Sequence, residues 1–329
     1  VVQGKKIVFS GAYGQSNLET GAPVTKQTIF GVNSISKALT GVAIMQLVEA
    51  GKLDLDAPLV SYLQTLPQAW KDVSVRQALT HTSGLPEIID DNVRLLDGAE
   101  PELAWAKVQE LPLNFPSGTR FEYSQTNYVV AGKIIEKLSG QSFAEFVRER
   151  QFKPAGMKLS GFSDTTAIKP PVATLYTHLT LQIKGMKTVG AERSKTPFVR
   201  HEPLPEIFLP IGGVRSTSTD LAEWAIALQE QKLVSKSSLE QLWKPQLLKD
   251  GTQRGFNATI NGYGLGFPSI QRPAHPALAL TGGARAAVFI YPKDDLTVIV
   301  LSNLLGATPQ SFIDKIAAFY LPGLNAETK

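Results

Sequence analysis

Between residues 34 and 50 the chain reads SISKALTGVAIMQLVEA, with apolar residues on nearly every side of a 3.6-residue wheel and Gly51 directly after. That pattern predicts a helix buried all round, begun near Ser34 and stopped by the glycine. Further helical stretches are predicted at 73–80, 102–110, 128–138 and 143–152, then an amphipathic helix at 218–231 capped by Ser218 or Thr219. Another helix starts from Ser237, and one closes the chain at 309–320. Residues 1–30, with turns at Gly11, Gly14 and Gly21, read as β-structure, and 1–10 as the turn and second strand of a hairpin whose first strand is mostly missing. Short apolar runs at 278–281, 287–291 and 296–301 predict strands, the last two joined by Pro292-Lys293-Asp294-Asp295. Residues 164–210, rich in Pro, Thr and Lys with weak periodicity, are expected to form long surface connections.

Strands at both ends with helices between them predict an α+β fold, in which an antiparallel sheet formed by both termini is flanked by helices and an inserted, mostly helical lobe fills the middle. The expected organisation is one domain over 1–329, with a sheet lobe from 1–50 plus 205–329 and a helical lobe from 51–204. There is no internal repeat and no low-complexity tract.

Composition narrows the chemistry. With 329 residues, 43% hydrophobic and 19% charged, the chain can bury a large core. It has no cysteine, which excludes disulfides, thiol catalysis, zinc thiolate sites and iron–sulfur clusters. His81, His178, His201 and His275 are scattered, with no HExxH, so neither a metal site nor a cofactor is expected. A net charge of +4 is small for this length, and no nucleic-acid partner is expected. That charge is local: residues 181–200 hold Lys184, Lys187, Arg193, Lys195 and Arg200 against Glu192 alone, the pattern of a solvated surface loop or, second, of a rim that attracts anions. No apolar run reaches the roughly 18–20 residues of a membrane span, and the start lacks a signal-peptide pattern, though an export signal could lie upstream.

Three places could carry chemistry. Ser34 and Lys37 are three apart on the predicted helix, hence on one face a turn apart. Desolvation of a lysine there would favour its neutral form, which can take the serine proton and release a nucleophile. A lysine on an otherwise almost wholly apolar helix needs such a reason; the alternative is a surface Ser and Lys on the first turn. Tyr123 stands on a loop just before a helix and could relay protons if cationic neighbours favoured its phenolate, although most tyrosines merely pack. Thr281-Gly282-Gly283 ends a strand; it is either a tight turn or a place where a free N–H meets an oxyanion.

In order along the chain, these segments resemble the serine β-lactamase-related family of class C β-lactamases, D-alanyl-D-alanine carboxypeptidases and related carboxylesterases. The resemblance runs from Gly4 to about Asn303: Gly14, Leu18-Glu19-Thr20-Gly21, Ser34-Ile35-Ser36-Lys37, Leu53-Asp54-Leu55-Asp56, Leu79-Thr80-His81-Thr82-Ser83-Gly84-Leu85, Pro116-Ser117-Gly118-Thr119 and Tyr123-Ser124. Gly212-Gly213-Val214-Arg215-Ser216-Thr217, Tyr263-Gly264-Leu265-Gly266 and Thr281-Gly282-Gly283 complete it. It implies a β-lactamase/transpeptidase-like α/β sandwich forming one catalytic domain, with Ser34 the acylated nucleophile, Lys37 the base and Tyr123 the proton relay. The oxyanion hole would use the N–H groups of Ser34 and Gly283, and His81 would be structural. No GxSxG supports a Ser-His-Asp triad.

Two positions depart from the family pattern. The second motif ends in Gln125 where asparagine is usual, which lengthens the amide's reach by a methylene. The third begins at Leu280 where lysine or histidine is usual, which removes the cation that would meet the carboxylate of β-lactams and D-alanyl peptides. Arg285 is the nearest substitute. Substrate-binding positions are therefore expected at Gln125, Leu280, Thr281, Gly282, Gly283 and Arg285 beside Ser34. The reading that follows is a serine hydrolase using an acyl-enzyme on an ester or amide, with a small-molecule ester, β-lactam or peptide as substrate. The alternatives are a β-lactamase or D-alanyl-D-alanine carboxypeptidase proper, and a non-catalytic penicillin-binding-like protein. The resemblance also implies a periplasmic or secreted protein.

Overall fold

The computed structural model describes residues 1–89, 95, 100–162, 171–184, 187–202 and 204–324, with the side chains of 181–189 left aside. The chain has an α+β fold whose largest sheet is antiparallel and seven-stranded. Its strands run in the spatial order Gly262–Tyr263, Pro268–Ile270, Ala277–Gly282, Ala286–Tyr291, Leu296–Leu301, Val2–Gln3, Lys6–Ile7. Val2 opposite Thr297 joins the two ends of the chain. Residues 1–10 thus hold both strands of a short hairpin, not only its turn and second strand.

The central strands read as unbroken apolar runs because both faces are covered. Ala286, Val288 and Ile290 enter the main core with Leu278 and Leu280, while Ala287, Phe289 and Tyr291 pack with Ile313 and Ala317 on the other face. The helix Ser218–Gln229 supplies Leu221, Trp224, Ala225 and Leu228 to the main core. Its N-cap is Thr217, one residue before the expected Ser218 or Thr219, because the Thr217 hydroxyl reaches the Asp220 N–H at 3.0 Å. The helix also ends at Gln229, two residues before the expected 231, where Gln231 takes a left-handed backbone.

The all-round apolar segment forms a 3₁₀ turn, Asn33–Ile35, continuous with the α-helix Ser36–Glu49, whose residues from Ser36 to Met45 are all buried. It is surrounded by Leu209–Gly212, Thr126–Ser139 and Lys236–Trp243. The helix expected at 143–152 is α only over Phe143–Val147 and continues as a wider π-turn, Arg148–Phe152. The one expected at 309–320 splits into Pro309–Ser311 and Ile313–Ala317 where Phe312 leaves helical geometry.

The segment 164–210 departs most from expectation. Residues 164–170, 185–186 and 203 lie outside the described residues, but Tyr176–Lys184 and Lys187–Val199 form two long antiparallel strands rather than loose connections. Residues 191–193, 195–196 and 198–199 are exposed, so the second strand carries no apolar pattern; the first alternates as Leu179-Thr180-Leu181-Gln182-Ile183-Lys184, a period-two signal outweighed by the Pro, Thr and Lys around it. The register shifts between Thr177 and Leu179 and between Gln182 and Ile183 blur the period further.

Candidate active site

Ser34 occupies the 3₁₀ turn at the mouth of the buried helix, directly after Asn33, which holds a left-handed φ of 45°. Such a conformation costs energy for a non-glycine residue and persists only where its surroundings enforce it. Here the enforcing element is the end of the strand Ala277–Gly282. A Cβ on Gly282 would stand 2.0 Å from the Val32 carbonyl oxygen and 3.3 Å from the Ser34 nitrogen, so only glycine lets the strand approach. Gly283 follows at φ +54, with Asn33 against it, and brings its backbone beside the Ser34 turn.

Lys37 lies one helical turn on, 1% exposed, with Nζ 3.3 Å from Ser34 Oγ and donating to the Ile211 carbonyl at 3.1 Å. The same nitrogen stands 4.8 Å from the Tyr123 ring centre and 5.5 Å from that of Tyr128. Burial lowers its pKa from 10.5 to about 7, against a smaller upward pull from the Glu87 carboxylate. Near neutrality much of the lysine is therefore uncharged and able to accept the serine proton.

Tyr123 is hydrogen-bonded through its side chain to Ser34. Burial raises its pKa well above 10, the bond to Ser34 opposes this, and Glu87 adds to it. The expected phenolate is thus disfavoured: Tyr123 is a phenol that can pass a proton along, not a standing base. Its loop is fixed by His81, whose Nδ1 accepts the Ser124 N–H at 3.2 Å and the Asn127 amide at 3.1 Å, leaving the proton on Nε2 for the Tyr263 hydroxyl at 3.2 Å. Fully buried and close to Lys37, His81 is held well below its ordinary pKa and stays neutral.

Glu87 was not visible as a functional residue in the sequence. Its carboxylate accepts the N–H groups of Ile88 at 2.8 Å and Gln125 at 2.9 Å, and more weakly that of Ile89 at 3.4 Å. Burial pushes its pKa up and those bonds pull it back. It ties the loop after His81 to the Tyr123-Ser124-Gln125 turn. A carboxylate inside the apolar run Leu85-Pro86-Glu87-Ile88-Ile89 was the available signal. The Gln125 side chain has a different standing from its backbone: its buried Oε1 has no hydrogen-bond partner among the described residues.

A cleft of about 200 Å³ opens at Ser34, lined by Tyr123, Phe256, Tyr263, Gly266, Pro268, Leu280, Thr281 and Gly283. Its described walls carry no cation. Leu280, 1% exposed, fills the place expected for lysine or histidine, and the aromatic walls Phe256 and Tyr263, 5.7 Å apart between ring centres, lie outside the substrate-binding positions expected from the sequence. Gly282 is packed behind the lining. Arg285 does not enter this cleft: it donates to Glu202 at 2.7 and 3.1 Å and to Asn33 Oδ1, on the far side of the Ser34 turn. Among the described residues no cluster of acidic, His or Cys side chains could hold a metal ion, and no helix is long and apolar enough to cross a membrane.

The beta-lactamase family profile matches residues 1–320. A penicillin-binding protein of Bacillus subtilis is 27% identical over 315 residues, covering 92% of this chain and 66% of that protein. The teichoic acid D-alanine hydrolase of Staphylococcus aureus is 24% identical over 310 residues, covering 93% and 70% respectively. The chain spans 60%, 66% and 70% of the length of three curated relatives. Among solved structures, the octameric penicillin-binding protein homologue from Pyrococcus abyssi superposes with a TM-score of 0.77 at 27% identity, over 99% of this chain and 75% of that one. With a profile match across nearly its whole length, this chain belongs to the beta-lactamase family.

Proposed function

We propose that the protein is a serine hydrolase that forms an acyl-enzyme on an ester or amide that is uncharged next to its carbonyl. The observation that carries this reading is the Ser34 hydroxyl 3.3 Å from a buried lysine whose pKa is lowered to about 7. Ser34 Oγ attacks the substrate carbonyl while its proton passes to Lys37 Nζ. The tetrahedral oxyanion is received by the backbone N–H groups of Ser34 and Gly283. The proton then travels by way of Tyr123 to the leaving alkoxide or amine, the carbonyl reforms, and the acyl group stays on Ser34. Water enters, gives a proton to Lys37, attacks the ester and releases the acid as Ser34 regains its proton.

The substrate class follows from the cleft walls. Leucine at 280 and aromatic rings at 256 and 263 offer apolar contact and no counter-charge for a carboxylate, which favours neutral acyl groups over β-lactams. The relative named teichoic acid D-alanine hydrolase supports hydrolysis as the family activity to expect here. A second reading, acylation by penicillin without turnover, is favoured by the relatives named as penicillin-binding proteins.

The two readings separate on intact-protein mass after exposure to a penicillin and to a fluorophosphonate, measured beside turnover of p-nitrophenyl butyrate and nitrocefin. Ester turnover abolished in Ser34→Ala, with little nitrocefin hydrolysis, is the expected result. A lasting penicillin adduct with no ester turnover establishes the second reading, and full ester turnover by Ser34→Ala refutes the nucleophile.

A further inference from the structure

A second and larger cleft, about 780 Å³, lies beside the first, and its walls include Asn33, Gly212 and Gly213 next to the Ser34 turn. Three arginines, Arg200, Arg215 and Arg285, line it together with one carboxylate, Glu202. Their side chains are not equivalent. Arg285, 5% exposed, holds both Glu202 oxygens, at 3.1 Å and 2.7 Å, and also donates to Asn33. Arg200 reaches the same carboxylate with its Nε at 3.3 Å. Arg215, partly buried on the middle strand of the three-stranded sheet Phe30–Gly31, Val214–Ser216 and Gly161–Phe162, makes no hydrogen bond or ion pair with any described residue.

Burial pushes Glu202 up, but the bonds and charges of Arg285 and Arg200 outweigh it and hold the carboxyl below its ordinary range. Glu202 is therefore an anion already committed to other cations. Arg215 is the reverse: burial and the neighbouring Arg285 press its guanidinium below its usual pKa, and Glu202 compensates only in part. Arginine does not resolve this by losing its proton. The cleft thus carries a local charge of +2 and a guanidinium fork with five donors and no acceptor among the described residues.

We propose that this cleft binds an oxyanion, a phosphate or carboxylate group, with Arg215 as its principal contact, and that the group belongs to the substrate whose ester reaches Ser34. A guanidinium binds either anion through paired N–H···O bonds, and an incoming anion relieves the Arg215–Arg285 repulsion. Asn33 connects the two clefts, because its side chain accepts from Arg285 while its backbone leads into Ser34. The substrate would then be neutral at the acyl carbon, where Leu280 stands, and anionic at a distance from it. The assignment to substrate rests on the hydrolase reading; the binding of an anion does not.

The test is calorimetric titration of the full chain at low ionic strength with inorganic phosphate and, separately, succinate, using both the wild type and Ser34→Ala. Saturable binding of either anion, equal in the two proteins and weakened about tenfold or more in Arg215→Gln at unchanged melting temperature, is the expected result. Phosphate alone binding identifies a phosphate group, and succinate alone a carboxylate. Should Arg215→Gln fail to fold, Arg200→Gln replaces it with the same expected direction, and Glu202→Gln is expected to tighten binding. Absence of saturable binding by the wild type, or equal affinity in every arginine variant that folds, overturns the proposal. The link to substrate is read from a ratio: kcat/KM for an anionic p-nitrophenyl ester over that for p-nitrophenyl butyrate falls in Arg215→Gln. An unchanged ratio overturns that link, while anion binding in a protein with no ester turnover would instead sink the hydrolase reading alone.

Discussion

Two clefts adjoin the Asn33-Ser34 step, and they treat positive charge in opposite ways. Behind the smaller one, outside its lining and a turn from Ser34, Lys37, 1% exposed, gives up much of its charge near neutral pH because the pull of Glu87 only partly offsets its burial. In the larger one arginines keep theirs and gather a carboxylate, Glu202, in ion pairs. The difference lies in the side chains themselves. An ammonium can be discharged by desolvation, whereas a guanidinium must be paired or left exposed to solvent. A base is obtained the first way and an anion site the second.

The largest effects should come from the uncharged lysine and its serine. Lys37→Met removes the base, and ester turnover is expected to fall about a hundredfold to ten-thousandfold, with Ser34→Ala at least as damaging. In the wild type, kcat/KM for p-nitrophenyl butyrate should rise with pH and level off with a midpoint at about 7, since the neutral lysine is the active form. Stability carries the same signature with its own sign. The unfolded chain keeps this proton up to 10.5 while the folded chain releases it at about 7, so burial of Lys37 costs stability at neutral pH, and that cost shrinks as pH rises between those values. Lys37→Met should therefore melt higher than wild type at pH 7 and lose that advantage by pH 10. A midpoint above 9 with no stabilisation by methionine would show that Lys37 stays charged in the folded protein.

The geometry that joins the clefts should be nearly as sensitive. Gly282→Ala places a methyl 2.0 Å from the Val32 oxygen and must push the strand end away from the Ser34 turn. A displacement of about 1 Å at a nucleophile can cost on the order of a hundredfold, so acylation by a fluorophosphonate should slow by about that factor. Normal acylation with a normal melting temperature would mean that the strand end does not set the position of Ser34.

How much of this was legible in the sequence depends on whether a feature is local. Ser34 and Lys37 are three residues apart on an apolar helix, so their pairing is written in one turn of chain. The strands 277–282, 286–291 and 296–301 announced themselves because burial on two faces leaves few polar positions. Arg285 misled for the complementary reason: five residues from Leu280 it looks like a substitute cation, yet its side chain lies with Glu202, 83 residues away in the chain. Glu87 escaped because its role depends on meeting Gln125 across 38 residues. The strand Lys187–Val199 was unreadable because most of its described side chains are exposed, whereas its partner Tyr176–Lys184 does alternate, as Leu179-Thr180-Leu181-Gln182-Ile183-Lys184, and was obscured by the Pro-, Thr- and Lys-rich sequence around it.

A moderate effect is expected where the two treatments of charge can be exchanged. Leu280→Lys would put an ammonium at the rim of the smaller cleft, facing the space where a carboxylate would sit beside the acyl carbon. The ratio of nitrocefin to p-nitrophenyl butyrate turnover should rise about tenfold, the scale of one charge-assisted contact. No change in that ratio, with the protein folded, would mean that the residue at 280 does not meet substrate.

The smallest effect should come from Glu87, which acts on Lys37 from beyond ion-pairing distance. Its negative charge raises the lysine pKa, so Glu87→Gln should move the midpoint of the pH profile downward, by less than about one unit. The direction is what discriminates. An amide keeps one acceptor oxygen, enough for the Gln125 N–H but not for the Ile88 N–H as well, so a purely structural Glu87 predicts a lower plateau with an unmoved midpoint. An electrostatic one predicts more activity below pH 7 than wild type, because a larger share of Lys37 is then neutral. Glu87→Ala, which removes charge and acceptor together, should show both the shift and the lower plateau, and comparison of the two variants apportions the carboxylate between holding the Tyr123 loop and setting the charge of the base.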